Sequence, residues 1–355
     1  MAATTYKCPS CGGYLGFDPE TQGWKCDFCG SSFDEKEILD RAGETEEKEA
    51  DSQEQSAKQQ PADGAQQVMY RCQSCGSEIM TDETTVATHC YYCHSPVVLQ
   101  GKLTSDMRPD SVLPFAIAKD KAVEAFMKWV KGKRYVPKAF FKQSQVESMA
   151  GVYYPHFVSD VELEGSLQGE GRNTHVSHSP TYITTTTDHY RVEREADIAF
   201  RSIMRPALSK ANRKLSDGIH PFPLEQSKPF SDAYLTGFLA ERRDIGADSV
   251  RADIEQETAG YVKPLLSDTV SFESHTLTPS SKMKSISTRY VLLPTWVLTY
   301  PNKKNRDDPY YYAMNGCTGE VCGKLPIDRK KLFLTALGVG AAVFAVGCIL
   351  CYFLF

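Results

Sequence analysis

From Lys119 to Val130 the apolar positions Ala122, Val123, Phe126, Met127 and Val130 fall on one face at helical spacing, with lysines opposite. That pattern predicts an amphipathic helix whose apolar face enters a core. From Gly151 the period drops to two. Residues 152–158, 161–165, 182–187 and 190–200 read as strands, and Gly169, Gly171, Asn173 and Pro180 read as turn markers between them. Ala233 to Glu241 and Ala247 to Leu266 return to helical patterning. Tyr290 to Tyr300 is a strong strand, in which Pro294 suggests an edge or a bulge. Tyr310 to Met314 and Glu320 to Leu325 flank an Asn315–Gly319 turn and predict a hairpin. Residues 103–328 therefore read as an α+β domain with a mostly antiparallel sheet.

Leu332 to Phe355 fits neither pattern. It carries no charge, and as a helix it is about 36 Å long, enough to cross a hydrocarbon core of about 30 Å. Residues 329–355 are read as a C-terminal transmembrane helix with a basic flank. Arg329, Lys330 and Lys331 sit at its N-terminal edge, so the positive-inside rule puts everything before it in the cytoplasm, as a tail-anchored protein of the cell membrane.

The cysteines add chemistry to this plan. Cys8, Cys11, Cys26 and Cys29 form two Cys-x-x-Cys pairs, and a shift of 64 positions lays them on Cys72, Cys75, Cys90 and Cys93. Tyr6, Gly12 and Asp18 land on Tyr70, Gly76 and Asp82 under the same shift. Four thiolates on two tight turns suit a tetrahedral zinc ion, and the separation between pairs is one residue shorter than the usual window for such sites. The expectation is two zinc ribbons, residues 1–33 and 68–102, with two zinc ions per chain. In the first, Tyr14, Leu15, Phe17, Trp24, Phe28 and Phe33 make a small core. A unit of this size depends on its metal for much of its folding energy. His89 and His94 flank the last pair, but four cysteines already complete each set. Disulfides are the competing reading. They belong to oxidising compartments, and residues 1–7 do not form a signal peptide.

Residues 34–67 hold eleven acidic and four basic residues and read as a flexible acidic linker that separates the ribbons, with a short helix from Asp34 to Arg41 at its start. The whole chain has a formal net charge of -5. That gives no long-range attraction to nucleic acid or to an anionic membrane surface. Within the ribbons acidic residues outnumber basic ones, whereas phosphate-backbone binding needs clustered Lys and Arg. Nucleic acid is therefore the less favoured partner, although Tyr91 and Tyr92 offer rings for stacking on single-stranded bases.

Other candidates are weaker. His175, His178, Asp188 and His189 read as an exposed polar loop, and Cys317 and Cys322 as free cytoplasmic thiols. Cys348 and Cys351 lie within the apolar stretch, and Ala336 and Gly340 fit small-residue helix packing. No phosphate-binding loop, nucleophile elbow or paired-carboxylate motif is present. The region 103–328 nominates no catalytic residue, although its Tyr- and His-rich strands are able to line a pocket.

The arrangement resembles a family of bacterial zinc-ribbon membrane proteins, whose members carry labels such as transcription-factor-B-type zinc ribbon or the primosomal replication helicase. The two ribbons and residues 81–90 carry the resemblance. Further matches are Val112-Leu113-Pro114-Phe115, Gly151-Val152-Tyr153-Tyr154-Pro155, Leu293-Pro294-Thr295-Trp296 and Ala313-Met314-Asn315-Gly316-Cys317-Thr318-Gly319. The helicase label has no nucleotide-binding motif to support it. The resemblance implies a membrane-anchored partner of flotillin-like (SPFH-domain) or phage-shock membrane-stress proteins. The leading expectation is thus a non-enzymatic adaptor or scaffold that docks a protein partner at the cytoplasmic membrane face. The alternatives are a membrane-tethered nucleic-acid-binding protein and an enzyme housed in residues 103–328.

Overall fold

The computed structural model describes residues 2–4, 6–38, 68–72, 78–90, 95–99, 107–137, 148–211, 213–300 and 310–354. Cys75, Cys93, His94, Tyr91, Tyr92 and most of the acidic linker lie outside them. The cysteine-rich part contributes β1 (Ala2–Thr4), β2 (Leu15–Asp18), β3 (Gly23–Cys26), β4 (Ser32–Phe33), β5 (Val68–Cys72), β6 (Glu78–Thr81), β7 (Thr85–His89) and β8 (Pro96–Leu99). The body follows with β9 (Ser111–Val112), α1 (Lys119–Lys131), β10 (Ala150–His178), β11 (Ile183–Pro206), α2 (Arg213–Asp217), β12 (Lys228–Pro229), β13 (Leu239–Glu241) and α3 (Ala247–Ser267). It closes with β14 (Ser274–Tyr300), β15 (Tyr310–Asn315), β16 (Val321–Lys324) and α4 (Arg329–Leu354). The architecture is α+β, with a large, mostly antiparallel sheet of 13 strands among the described residues.

That sheet is built on β10, paired along its length with β14 on one side and with β13 and then β11 on the other. The strands expected at 152–158 and 161–165 are one strand, and the gap between them is the bulge at Ser159/Val161. The turns expected at Gly169, Gly171 and Asn173 are absent, because β10 runs straight through them to His178. Those glycines answer a different need. A Cβ at Gly169 would lie 1.9 Å from the Thr276 carbonyl of β14, and one at Gly171 would lie 2.4 Å from the Phe272 ring. Each marks a close approach across the sheet. Pro180 does sit in the turn, between β10 and β11.

The helices follow their stripes. Ala122, Phe126 and Val130 of α1 are buried, and Val250, Ile254, Thr258, Val262 and Leu266 of α3 form a four-residue-spaced buried row. α3 packs on β10, β11 and β14, and its row shares one buried core with Leu163, Leu167, Val192 and Leu277. The helix expected from Ala233 to Glu241 is a 3-10 turn (Asp232–Leu235) followed by β13. Gly237, at φ +88°, breaks the helical path between them. Pro294 lies where the neighbour of β14 changes from β9 to β15. Its carbonyl accepts from Gly316 N there, so its missing N–H falls at that junction.

The four motifs that carry the resemblance converge inside the body. Phe115 stacks on Phe238 with centroids 4.2 Å apart and meets Tyr153 and Trp296 at 5.0 Å. Gly316 O accepts from Ala116 N and Ile117 N, and Trp296 Nε1 donates to Ile117 O. Asn315 is buried and donates to the carbonyls of Ile219 and Pro221, clamping the loop before them.

The cysteine units are joined to this body. β7 pairs with β13 through Ala87↔Ala240, and Lys210 bridges Asp82 and Glu241 at 2.8 and 3.0 Å. β1, which precedes the first cysteine unit, pairs with β5 and β8 of the second. The insulation between the two units expected from the acidic linker is therefore bypassed by the chain's own N-terminal strand. Residues 35–38 do form a helical turn, held by a reciprocal cap between Asp34 and Glu37.

Two glycines test the reading of the long strands. Gly169→Ala should destabilise the protein by about 2 kcal/mol through overpacking against β14. Gly260→Ala in α3, where a Cβ meets nothing within 4 Å, should stabilise it by about 0.5–1 kcal/mol. Urea denaturation of both variants beside the parent checks the pair.

Candidate metal centre

Two turns of one design form the first site. After the Lys7↔Tyr14 bridge begins, Cys8 N donates to Gly13 O and Gly12 N to Cys8 O; after β3, Cys26 N donates to Ser31 O and Gly30 N to Cys26 O. Gly12 and Gly30 take matching φ values of +74° and +73°, which any residue with a Cβ rarely adopts. The two loops face each other. Cys8 Sγ lies 3.7 Å from Cys29 Sγ, Cys11 Sγ lies 3.6 Å from Cys26 Sγ, and all four sulfurs fall within 4.8 Å of one another. A tetrahedral thiolate centre with ion–sulfur bonds of about 2.3 Å has sulfur–sulfur edges of about 3.8 Å. The four cysteines can therefore hold a metal ion with little movement.

The electrostatics agree. The Ser31 hydroxyl and backbone N–H draw the Cys29 thiol down to about 6. At Cys11 the Gly13 N–H pulls downward, 3.4 Å from the sulfur, yet the neighbouring Cys29, Cys26 and Cys8 push its pKa up to about 12. Sulfurs this close cannot all ionise beside one another unless a cation lies among them. Cys8 and Cys26 are buried, whereas Cys11, Cys29 and the Phe28 ring face outward.

The inner side of this unit is seated on the body. Trp24 is fully buried and its Nε1 donates to Ala233 O at 3.0 Å. Phe17 and Trp24 both pack on Tyr234, Phe17 N donates to Thr236 O, and the Tyr234 hydroxyl donates to Glu35.

Of the second set, Cys72 and Cys90 are described. Both are buried, in a small cluster with Tyr70, Val97 and Leu99. The 64-residue shift holds in the backbone. Trp24↔Phe33 and Lys25↔Ser32 of β3 and β4 become Thr88↔Val97 and His89↔Pro96 of β7 and β8. The Cys26 N to Ser31 O bond becomes Cys90 N to Ser95 O, at 2.9 Å. Cys75 and Cys93 lie outside the described residues.

Elsewhere, His175 and Asp188 face each other across β10 and β11 at 3.5 Å on exposed strand positions, not in a loop. Cys317 and Cys322 are free thiols, and burial pushes Cys317 up to about 12.

One site escapes motif reasoning. A cavity of about 280 Å³ lies on the sheet face beside Leu208, Ala211 and Ile219, lined also by Tyr154, His156, Leu215, Ser216, Val297 and Tyr311. His156 is buried. Its Nδ1 faces the Tyr154 carbonyl at 3.1 Å, which can only accept, so Nδ1 carries the proton and Nε2 accepts from the Ser216 hydroxyl at 2.7 Å. Burial lowers the His156 pKa to about 4. The available signal was its alternation: Tyr154 and His156 share one face of a strand whose other face, Tyr153 and Phe157, is core.

No protein-family model matches the chain, and no solved structure matches it. Over 347 residues it is 28% identical to "Uncharacterized protein YdjG" of Bacillus subtilis (strain 168), spanning 96% of this chain and 95% of that one.

The buried His156 gives the fold a pH signature. The unfolded chain binds a proton near the ordinary pKa of 6.5, and the folded chain refuses it until about 4. Stability from this group is complete above 6.5 and falls as pH drops across that interval, by up to about 3 kcal/mol. Urea midpoints between about pH 7 and about pH 5 should fall more steeply for the parent than for His156→Gln.

Proposed function

We propose that the chain is a membrane-anchored zinc-ribbon adaptor or scaffold, without catalytic activity, that docks a protein partner at the cytoplasmic membrane face. The observation that carries this reading is the seating of the Cys8–Cys29 centre. A loop pair whose four cysteines can hold a metal ion stands outward from a unit fixed on the body, and α4 leaves the same body as a helix uncharged from Leu332 onward. Within residues Arg329–Cys351 the most apolar stretch of 18 residues has a mean hydropathy of 2.3, and none of it is buried. They are long and apolar enough to cross a membrane.

The finer parts of the proposal follow from chemistry and from the resemblance. Four thiolates at this spacing suit a tetrahedral zinc ion. The register shared by β3–β4 and β7–β8 supports a second zinc ribbon closed by Cys72, Cys75, Cys90 and Cys93, and so two ions per chain. The basic run Arg329–Lys331 supports a cytoplasmic body on a single C-terminal span. The partner class, flotillin-like or phage-shock-type membrane proteins, comes from the family resemblance. Residues 1–33 and 68–102 serve as the ribbons and 103–328 as the body that presents them.

Elemental analysis of the purified full chain should give about two zinc ions per chain, falling to about one in Cys8→Ser. The detergent-solubilised full chain, used as bait, should retain a membrane protein partner whose capture is lost in Cys8→Ser. Salt-sensitive binding to single-stranded DNA or RNA that disappears on changing Tyr91 and Tyr92 to Ala would replace the adaptor with the nucleic-acid reading.

A further inference from the structure

Two basic runs far apart in the sequence meet at the root of α4. The helix starts without a spacer. Asp328 caps it through Oδ1, accepting from Lys330 N and Lys331 N, and Asp328 N donates to Tyr135 O at 2.7 Å. Lys331 Nζ donates to Val136 O at 3.0 Å. These bonds tie the helix root to the segment that follows α1. Lys131, Lys133 and Arg134 therefore stand beside Arg329 and Lys330, and all five are exposed. Among the described residues none of the five is ion-paired, and Asp328 is engaged as the cap. A hollow of about 370 Å³ opens there, lined by Trp129, Lys133, Arg134, Tyr135, Leu325 and Ile327. Lys133 Nζ lies 5.2 Å above the Trp129 ring, and Ile327 is 64% exposed.

We infer that this hollow binds the headgroup of an anionic phospholipid, with Lys133 and Arg134 holding its phosphate. The inference rests on the reading of α4 as a membrane span. On that reading the uncharged stretch begins at Leu332, so the hollow, tied one helical turn before it, lies at headgroup depth. The chemistry fits that depth. Arg and Lys bind phosphate oxygens, Arg in a two-pronged fashion. Trp and Tyr settle at the interface between hydrocarbon and water. The exposed Ile327 and Phe333 give acyl chains an apolar surface beside the headgroup. The net charge of -5 over the whole chain conceals this collar, because residues 34–67 alone carry eleven acidic against four basic residues. A flank that only orients the helix needs Arg329–Lys331. Lys133 and Arg134 reach the site through the fold, and they distinguish a lipid site from a general topology signal.

The test uses the full chain in nanodiscs of phosphatidylcholine with a minor share of phosphatidylglycerol, and reads by native mass spectrometry the lipids that stay bound as the disc is stripped. Phosphatidylglycerol should be retained well above its share of the bilayer. Lys133→Ala and Arg134→Ala should each lower that retention roughly fivefold, the effect of one basic residue near the surface. Arg134→Lys should keep most of it, and millimolar inorganic phosphate should not displace the lipid. Both side chains are exposed, and an unchanged circular dichroism spectrum verifies folding. Retention at the bulk share in the parent, or retention unaffected in the double variant, overturns the lipid site while leaving the span intact. Failure of the full chain to enter nanodiscs overturns the span itself and the lipid site with it.

Discussion

The fold depends on one run of aromatic contacts. Trp24 meets Phe17 and Tyr234, Phe17 meets Phe238, Phe238 stacks on Phe115, and Phe115 meets Tyr153 and Trp296. It begins in the first cysteine unit and ends on the central strands β10 and β14. Every ring in it is buried, so the run is a continuous dry seam and not a surface contact. A unit of about thirty residues has too little core to stand alone. Here it borrows the core of the body on one side and can be closed by a metal ion on the other. The two supports act on the same strand, since β3 carries both Trp24 and Cys26.

Much of this was legible locally and little of it at long range. The α1 stripe, the α3 stripe and the Cys-x-x-Cys turns are each written within one element, where spacing alone places side chains on a face or a loop. The long strands were harder. Gly169 and Gly171 have turn-like composition, yet pairing with β14 on one side and β11 on the other holds β10 extended through them. The segment 233–241 has helical composition, but the positive φ at Gly237 and the bond from Phe17 N to Thr236 O fit it to the cysteine unit instead. Three features depend wholly on tertiary arrangement: the His156–Ser216 pair, the pairing of β1 with the second cysteine unit, and the meeting of Lys133 and Arg134 with the root of α4. No window of sequence contains both partners of any of them.

The arrangement joins the cysteine units, the body and the root of α4 into one piece among the described residues. α4 is capped by Asp328 on the body itself, β13 joins the second cysteine unit to β10, and the aromatic seam joins the first. Each joint uses backbone hydrogen bonds or buried rings, which tolerate little play. The outward face at Cys11, Phe28 and Cys29 is therefore held at a fixed place relative to the helix root, without a hinge among the described elements between them.

Metal closure at Cys8–Cys29 and the aromatic seam should stabilise one another, because both act on β3. Hydrogen exchange of the full chain, read by mass spectrometry before and after removal of metal with a chelator, tests it directly. The account predicts faster exchange in residues 8–33 and, together with it, in residues 230–240 of the body, where Ala233, Tyr234 and Phe238 receive Trp24 and Phe17. Faster exchange confined to residues 8–33, with 230–240 unchanged, would contradict it.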